Sequence, residues 1–268
     1  MIDLDAVTML VRRVAEAVHL PLFGQDVRPE EKSPGELVSL VDQQAEQLLV
    51  EGLAELTPGL HVVGEEAAAG DPSLLAALRG ERPVWLVDPL DGTSQFVNGS
   101  PDHAIMLALV RSGVPLAAVV HQPQHGRTYV AERGGGAWRD GVRLRTRPAD
   151  PGDLPSLRGG ILRRFLDEPA RRALADNEAR FGDLTPATTC AGVEYPRILE
   201  GGSDFLLFWR TLAWDHAPGA LLLEEAGGVA LRPDGTPYRA NDDRSGLLAA
   251  TDRATAEAVL RGLGLVQP

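Results

Sequence analysis

Six consecutive residues, Asp88-Pro89-Leu90-Asp91-Gly92-Thr93, hold the densest potential chemistry in this sequence. Two carboxylates three residues apart, flanked by a proline and a glycine, require a chain that turns while both acids project together. Oxygen donors of that kind suit a hard cation such as Mg²⁺, and the Leu90 carbonyl between them can supply a further oxygen. Gly92 and Thr93 then offer backbone N–H groups where a following helix could begin, a cradle for a phosphate group. The same residues also read as a surface turn with an aspartate helix cap. Further acids stand at breaks in the hydrophobic pattern: Asp42, Gly64-Glu65-Glu66 and Trp214-Asp215. Taken singly, Glu65 and Glu66 could be solvated, and Asp42 and Asp215 could cap helices.

The elements that must position these acids follow from periodicity. Leu4, Val7, Val11, Val14 and Val18 recur at helical spacing behind Asp3, and a loop carrying Pro29, Pro34 and Gly35 ends that helix. A second helix starts at Ser39 and places Asp42 in its first turn. Leu60–Val63 and Val84–Val87 are short apolar runs that end in the acids, as buried strands do when their C-terminal ends open into a site. From Ala104 to Leu144 apolar runs separated by glycine-containing turns predict an antiparallel meander. Beyond it come a strand near Leu157–Leu162, a helix around Glu168–Arg180, a helix through Val193–Leu199, a strong helical stretch after Trp214-Asp215, and a last strand and helix at Gly246–Thr251 and Ala254–Leu263. The pattern is α/β, with a boundary between residues 1–150 and 151–268 near Pro148–Pro155.

Bulk properties narrow the chemistry. A net charge of −12 argues against a surface that neutralises a nucleic-acid backbone, while still allowing a small phosphate ester where cations offset the acids locally. The single cysteine, Cys190, cannot form an internal disulfide, and the start lacks a secretion-signal pattern, so a cytoplasmic location is expected. No apolar run reaches the ~20 residues needed to cross a bilayer, so no membrane partner is expected. His103, His121, His125 and His216 show no ligand spacing; His216 reads as a packing or capping residue. Trp85 and Trp214 read as packing beneath the acids, and Cys190 as a pocket or core residue.

Three motifs, in order, resemble the inositol monophosphatase family of lithium-sensitive, magnesium-dependent sugar-phosphate phosphatases. They are Gly64-Glu65-Glu66, then Trp85 through Thr93, then Trp214-Asp-His-Ala-Pro-Gly219 with Glu225-Ala-Gly-Gly228; Lys32 through Ser39 leading to Asp42 is a weaker fourth. The resemblance implies a layered α-β-α-β-α sandwich of the inositol monophosphatase and fructose-1,6-bisphosphatase type, and a homodimer. It implies that Glu65, Asp88, Asp91, Asp215 and the Leu90 carbonyl coordinate two to three Mg²⁺ ions. It further implies that Thr93 positions the attacking water with Glu65, that Asp42 orients Thr93, and that Li⁺ inhibits. Substrate contacts would come from Asp91, Gly92, Thr93, Asp215, Cys190, Ala191 and Phe208.

The sequence departs from the family pattern at Ala67, at Ser94-Gln95, at Thr189-Cys190-Ala191 and at Phe208, where inositol-selective members carry a glutamate that holds a ring hydroxyl. Phe208 favours a flatter or less polar alcohol. Inositol monophosphate, histidinol phosphate, a nucleotide 3′-phosphate and a sugar bisphosphate are the candidate substrates. A regulatory binding protein on the same fold is the alternative from another class.

Overall fold

The computed structural model describes residues 2–33 and 36–266; Pro34 and Gly35, and with them part of the Lys32–Ser39 match, lie outside the described residues. Helix α1 (Leu4–Val14) is capped by the Asp3 carboxylate and continues through a π-helical turn (Ala15–His19) into the short α2 (Leu20–Leu22). A small antiparallel pair, β1 (Glu30–Ser33) and β2 (Glu36–Val38), leads to α3 (Leu40–Leu56). Seven strands follow in one sheet: β3 (His61–Gly64), β4 (Val84–Asp91), β5 (Ala104–Arg111), β6 (Val114–Gln122), β7 (Arg127–Glu132), β8 (Gly136–Arg139) and β9 (Val142–Leu144). They lie side by side in chain order, β3 parallel to β4 and every later pair antiparallel. Helices α4 (Glu65–Gly70) and α5 (Thr93–Val97) spring directly from the ends of β3 and β4.

A second sheet takes the order β11-β10-β12-β14-β13, from β10 (Arg158–Ile161), β11 (Asp183–Pro186), β12 (Phe205–Phe208), β13 (Val229–Leu231) and β14 (Leu247–Ala250). Its helices are α6 (Glu168–Asn177), α7 (Ala191–Leu199), α8 (Ala213–Glu225) and α9 (Arg253–Gly262). Strand alternation assigns the layers. Trp85, Val87, Ile105 and Leu107 pack with Val7, Val11, Leu49 and Leu53 of α1 and α3. Their neighbours Leu86, Met106 and Ala108 face the other way, onto Leu221 and Leu222 of α8 and Ile198 of α7. The same central layer receives Leu206, Phe208, Leu247 and Ala249 from the second sheet. Phe205, Leu207, Leu248 and Ala250 turn outward against Leu174 of α6 and Val259 and Leu260 of α9. The result is the five-layer α-β-α-β-α stack, mixed α/β, that the resemblance implies.

The 104–144 meander forms as periodicity predicts. Several elements escaped that reading: strands β1 and β2 where a loop was expected, the α4 turn, a 3₁₀ stretch at Pro72–Arg79, and strands β11, β12 and β13. Each is short, and a run of three to eight residues carries too few periods to declare itself. No helix among the described residues is long and apolar enough to cross a membrane.

Candidate metal centre and its cleft

Alternation along a strand puts residues three apart on opposite faces, so a regular β4 would separate Asp88 from Asp91. It does not, because β4 carries one extra residue between the pairs Asp88↔Met106 and Asp91↔Ala104. Met106 and Ala104 share the face toward α7 and α8, and the bulge turns both acids to that face. Pro89, which has no N–H to give the ladder, sits within the bulge, as proline must in a sheet. Gly92 follows with φ +91°, a left-handed conformation that disfavours a side chain, and a Cβ there would stand 3.2 Å from the Asp102 carbonyl.

Among the described residues, Glu65, Asp88 and Asp215 each offer a carboxylate oxygen within 4.8 Å of one another and could hold a metal ion. Three elements deliver them: the start of α4 after β3, the end of β4, and the first turn of α8. Asp88 is buried, and burial together with Glu65, Asp91 and Asp215 pushes its carboxyl well above the ordinary range. Asp91 is raised to about 7, chiefly by burial. Its Oδ2 accepts from the Gly192 N–H at 2.5 Å and the Cys190 thiol at 3.2 Å, so this acid also caps α7 from another element. Three carboxylates within 4.8 Å of one another, with buried Asp91 beside Asp88, are costly without compensating cations, and an all-oxygen donor set fits a hard divalent ion. Leu90 lines the same cleft.

Asp42 carries two tasks. Its Oδ2 accepts from the Ser39 N–H at 2.7 Å and the Ser39 hydroxyl at 2.6 Å, closing a capping box that starts α3. Its Oδ1 accepts from the Thr93 hydroxyl at 2.9 Å, and Thr93 also lies 3.2 Å from the Leu90 carbonyl. Burial raises the Asp42 carboxyl against these hydrogen bonds. One turn further along α3, Glu46 accepts from the Glu66 and Ala67 N–H groups at 2.8 and 2.9 Å and so caps α4, fixing where Glu65 begins. Gly64 leaves room for it, since a Cβ there would run into the Glu46 carboxylate. Sequence reasoning missed Glu46. Its signal was an acid at i+4 from Asp42, on the face that buries Val41, Ala45 and Leu49.

The opposite wall carries residues that sequence reasoning only half anticipated. Ala191 and Phe208 line the cleft as expected; Cys190 is wholly buried behind it, with its thiol raised by that burial. Leu162, Arg164, Phe165 and Arg210 line it as well. The Arg210 and Arg164 guanidinium carbons lie 4.1 and 5.1 Å from the Phe165 ring centroid. Gln95 donates to the Thr189 hydroxyl at 2.8 Å, tying the start of α5 to the loop before α7. His216 is buried, and burial lowers it to about 3, so it is neutral. Its Nε2 lies 3.2 Å from the Arg210 carbonyl and its Nδ1 3.2 Å from the Tyr195 hydroxyl. Because a carbonyl only accepts, Nε2 carries the proton and Tyr195 donates to Nδ1. Trp85 is fully buried and Trp214 nearly so.

The profile of the inositol monophosphatase family matches residues 3–264. Human inositol monophosphatase 1 is 27% identical, over 98% of this chain and 94% of its own length. Inositol-1-monophosphatase of Mesorhizobium japonicum is 34% identical, over 79% of this chain and 77% of its own. A solved inositol monophosphatase from Thermotoga maritima superposes with a TM-score of 0.81 at 25% identity, covering 98% and 97% of the two chains. The bulged β4 with its paired acids, the carboxylate cluster and these matches together identify the chain as a phosphatase belonging to the inositol monophosphatase family.

Proposed function

We propose that the protein is a Mg²⁺-dependent phosphomonoesterase that hydrolyses a small phosphorylated alcohol. The observation that carries this reading is the convergence of Glu65, Asp88 and Asp215 beside Asp91, with Asp88 held well above its ordinary pKa by burial and by the other acids. Such a cluster is stabilised by divalent cations, and the Leu90 carbonyl would complete the donor set for two to three of them. When bound, Mg²⁺ supplies neutralisation of phosphoryl charge and acidification of a coordinated water.

The chain's own residues do the rest. The Thr93 proton is committed to Asp42, which leaves the Thr93 oxygen free to accept from the attacking water. Glu65 accepts the second proton of that water and aims its lone pair at phosphorus. Asp91, Gly92 and Thr93 hold the phosphoryl group, and Asp215 directs a water that protonates the departing alkoxide. Cys190, Ala191 and Phe208 shape the pocket for the alcohol. A cytoplasmic homodimer inhibited by Li⁺ is the accompanying expectation.

Phosphate release from a panel of monoesters, with MgCl₂ and then with excess chelator, tests the reading. Hydrolysis that requires magnesium supports it; full turnover in chelator refutes it.

A further inference from the structure

We infer that Gln95 and Thr189 form a strap across the alcohol side of the cleft and, with Glu194 as its buried anchor, select a compact alcohol over a nucleoside. The inference rests on the phosphatase reading above and deepens it by naming what chooses the alcohol. Two of the departures from the family pattern, Ser94-Gln95 and Thr189-Cys190-Ala191, are joined to each other. The Gln95 amide donates to the Thr189 hydroxyl at 2.8 Å across a separation of 94 residues in sequence. Both residues line the cleft.

Each end of the strap is mounted on the site itself. Gln95 lies on α5, two residues past Thr93, and its Oε1 is buried, so that side of the amide is packed into the wall. Thr189 stands in the loop before α7, and both of its neighbours are held. The Thr188 N–H donates to Glu194 Oε1 at 2.6 Å, and the Cys190 thiol donates to Asp91 Oδ2 at 3.2 Å. Glu194 is wholly buried in the first turn of α7, with its other oxygen 3.4 Å from Arg197. A loop residue pinned on both sides presents its hydroxyl to Gln95 in one place, so the bond fixes the spacing between α5 and α7.

A bridge between two walls occupies space that a large alcohol would need, and a hydrogen-bonded pair gives way less readily than a free side chain. The acids that meet the phosphoryl group lie apart from it. Selection of this kind acts by a clash against the larger ligand rather than by a new attraction for the smaller. Glycerol or a single sugar stays beside the phosphoryl group, whereas a nucleoside must displace the strap. Of the candidate substrates, the nucleotide 3′-phosphate is therefore disfavoured.

The test is the ratio of kcat/KM for 3′-AMP to that for glycerol 2-phosphate, measured with MgCl₂ on the full chain. In the wild type the ratio is expected to lie below about one-tenth. Gln95→Ala and Thr189→Ala are each expected to raise it about tenfold, mainly through KM for 3′-AMP, and the double variant to raise it no further, since each change removes the same bond. Glu194→Ala should raise it too, whereas Glu194→Gln, which keeps an oxygen for the Thr188 N–H, should leave it near the wild-type value. The inhibition constant of inorganic phosphate, which needs only the metal end, should stay within about twofold throughout, a result that general damage to the cleft would not give. Thermal unfolding checks that each variant folds; Gln95→Asn, one methylene shorter, decides if the alanine variants do not. A wild-type ratio near or above one, a ratio that no strap variant raises, or a parallel loss of phosphate inhibition overturns this inference alone. Effects that multiply in the double variant overturn the bridge as their cause. Absence of hydrolysis of every ester removes the phosphatase reading and this inference with it.

Discussion

On the wall made by the ends of β3 and β4 and the starts of α3 and α5, nearly every polar side chain answers to another. Asp42 holds Ser39 and Thr93, Glu46 holds the start of α4, and Asp91 holds the start of α7. On the facing wall, Phe208, Phe165, Leu162 and Ala191 present apolar surface interrupted by Arg164 and Arg210. The first wall stores like-charge repulsion in a rigid frame; the second is largely packed hydrocarbon and aromatic surface carrying two cations. Charge concentrated at a buried point dictates the partner closely, here a hard cation and a phosphoryl group. An aromatic wall fixes shape first, and its selectivity is adjusted by one or two polar additions.

If the first wall is a charged trap, neutralising it should separate function from stability. Asp88→Asn is expected to lower phosphate release by at least ~10³-fold while leaving the metal-free protein as stable or more stable by ~1 kcal/mol, since it removes one of the mutually repelling acids. Steady-state turnover and metal-free thermal melts check both. A destabilised, still active variant would break the contrast between the walls.

The hydrogen bond from Thr93 to Asp42 sharpens the same comparison. Thr93→Val is expected to reduce kcat ~10²- to 10⁴-fold with a smaller change in KM, as loss of a water-orienting group should. Asp42→Asn should cost less, ~10- to 100-fold, because it acts through Thr93. It should also cost ~1 kcal/mol of stability through the capping box at Ser39. Equal kinetic losses in the two variants would contradict the order of contact.

Behind the first wall, His19 and His103 stack with centroids 5.6 Å apart among Phe23 and Phe96. The His103 ring nitrogens make no hydrogen bond among the described residues. Burial lowers His19 to about 3 and His103 to about 4, from the ordinary 6.5. A histidine held neutral in the fold contributes stability that is fully present above pH 6.5 and is lost as pH falls through the folded value. Melting temperature should therefore drop between about pH 6.5 and 4, and His103→Leu should flatten that arm by up to a few kcal/mol. An unchanged slope would show that the acid sensitivity lies elsewhere.

The smallest expected effect is on the second wall. His216→Phe removes the hydrogen bonds to Arg210 and Tyr195 while keeping the ring, and should cost ~1–2 kcal/mol of stability with only a modest rise in KM. Differential scanning calorimetry and KM measured on one ester check it. A collapse in kcat would place His216 in the chemistry.

The same contrast governs what the sequence revealed. The acids of the first wall stood in compact motifs because one bulge and three helix starts must sit within a few residues of them. Asp88, Asp91 and Thr93 were therefore legible as a group, and Glu65 and Asp215 became so once the motifs were taken in order. Glu46 was masked by its place in an ordinary amphipathic helix. Arg164 and Arg210 were invisible for a different reason: they reach the cleft from two segments far apart in sequence, Arg163–Phe165 and the loop after β12, that the parallel pairing of β10 with β12 brings side by side. The meander announced itself through repeated turns, whereas the short strands β11 and β13 depend on neighbours distant in sequence.

The most direct test of the central claim, that separated acids meet to hold divalent cations, is calorimetric titration of Mg²⁺ into metal-free protein at pH 8, wild type beside Asp88→Asn. Saturable binding of more than one ion per chain, weakened at least tenfold by the substitution, is the predicted result. No saturable binding in the wild type, or equal binding in both proteins, would contradict it.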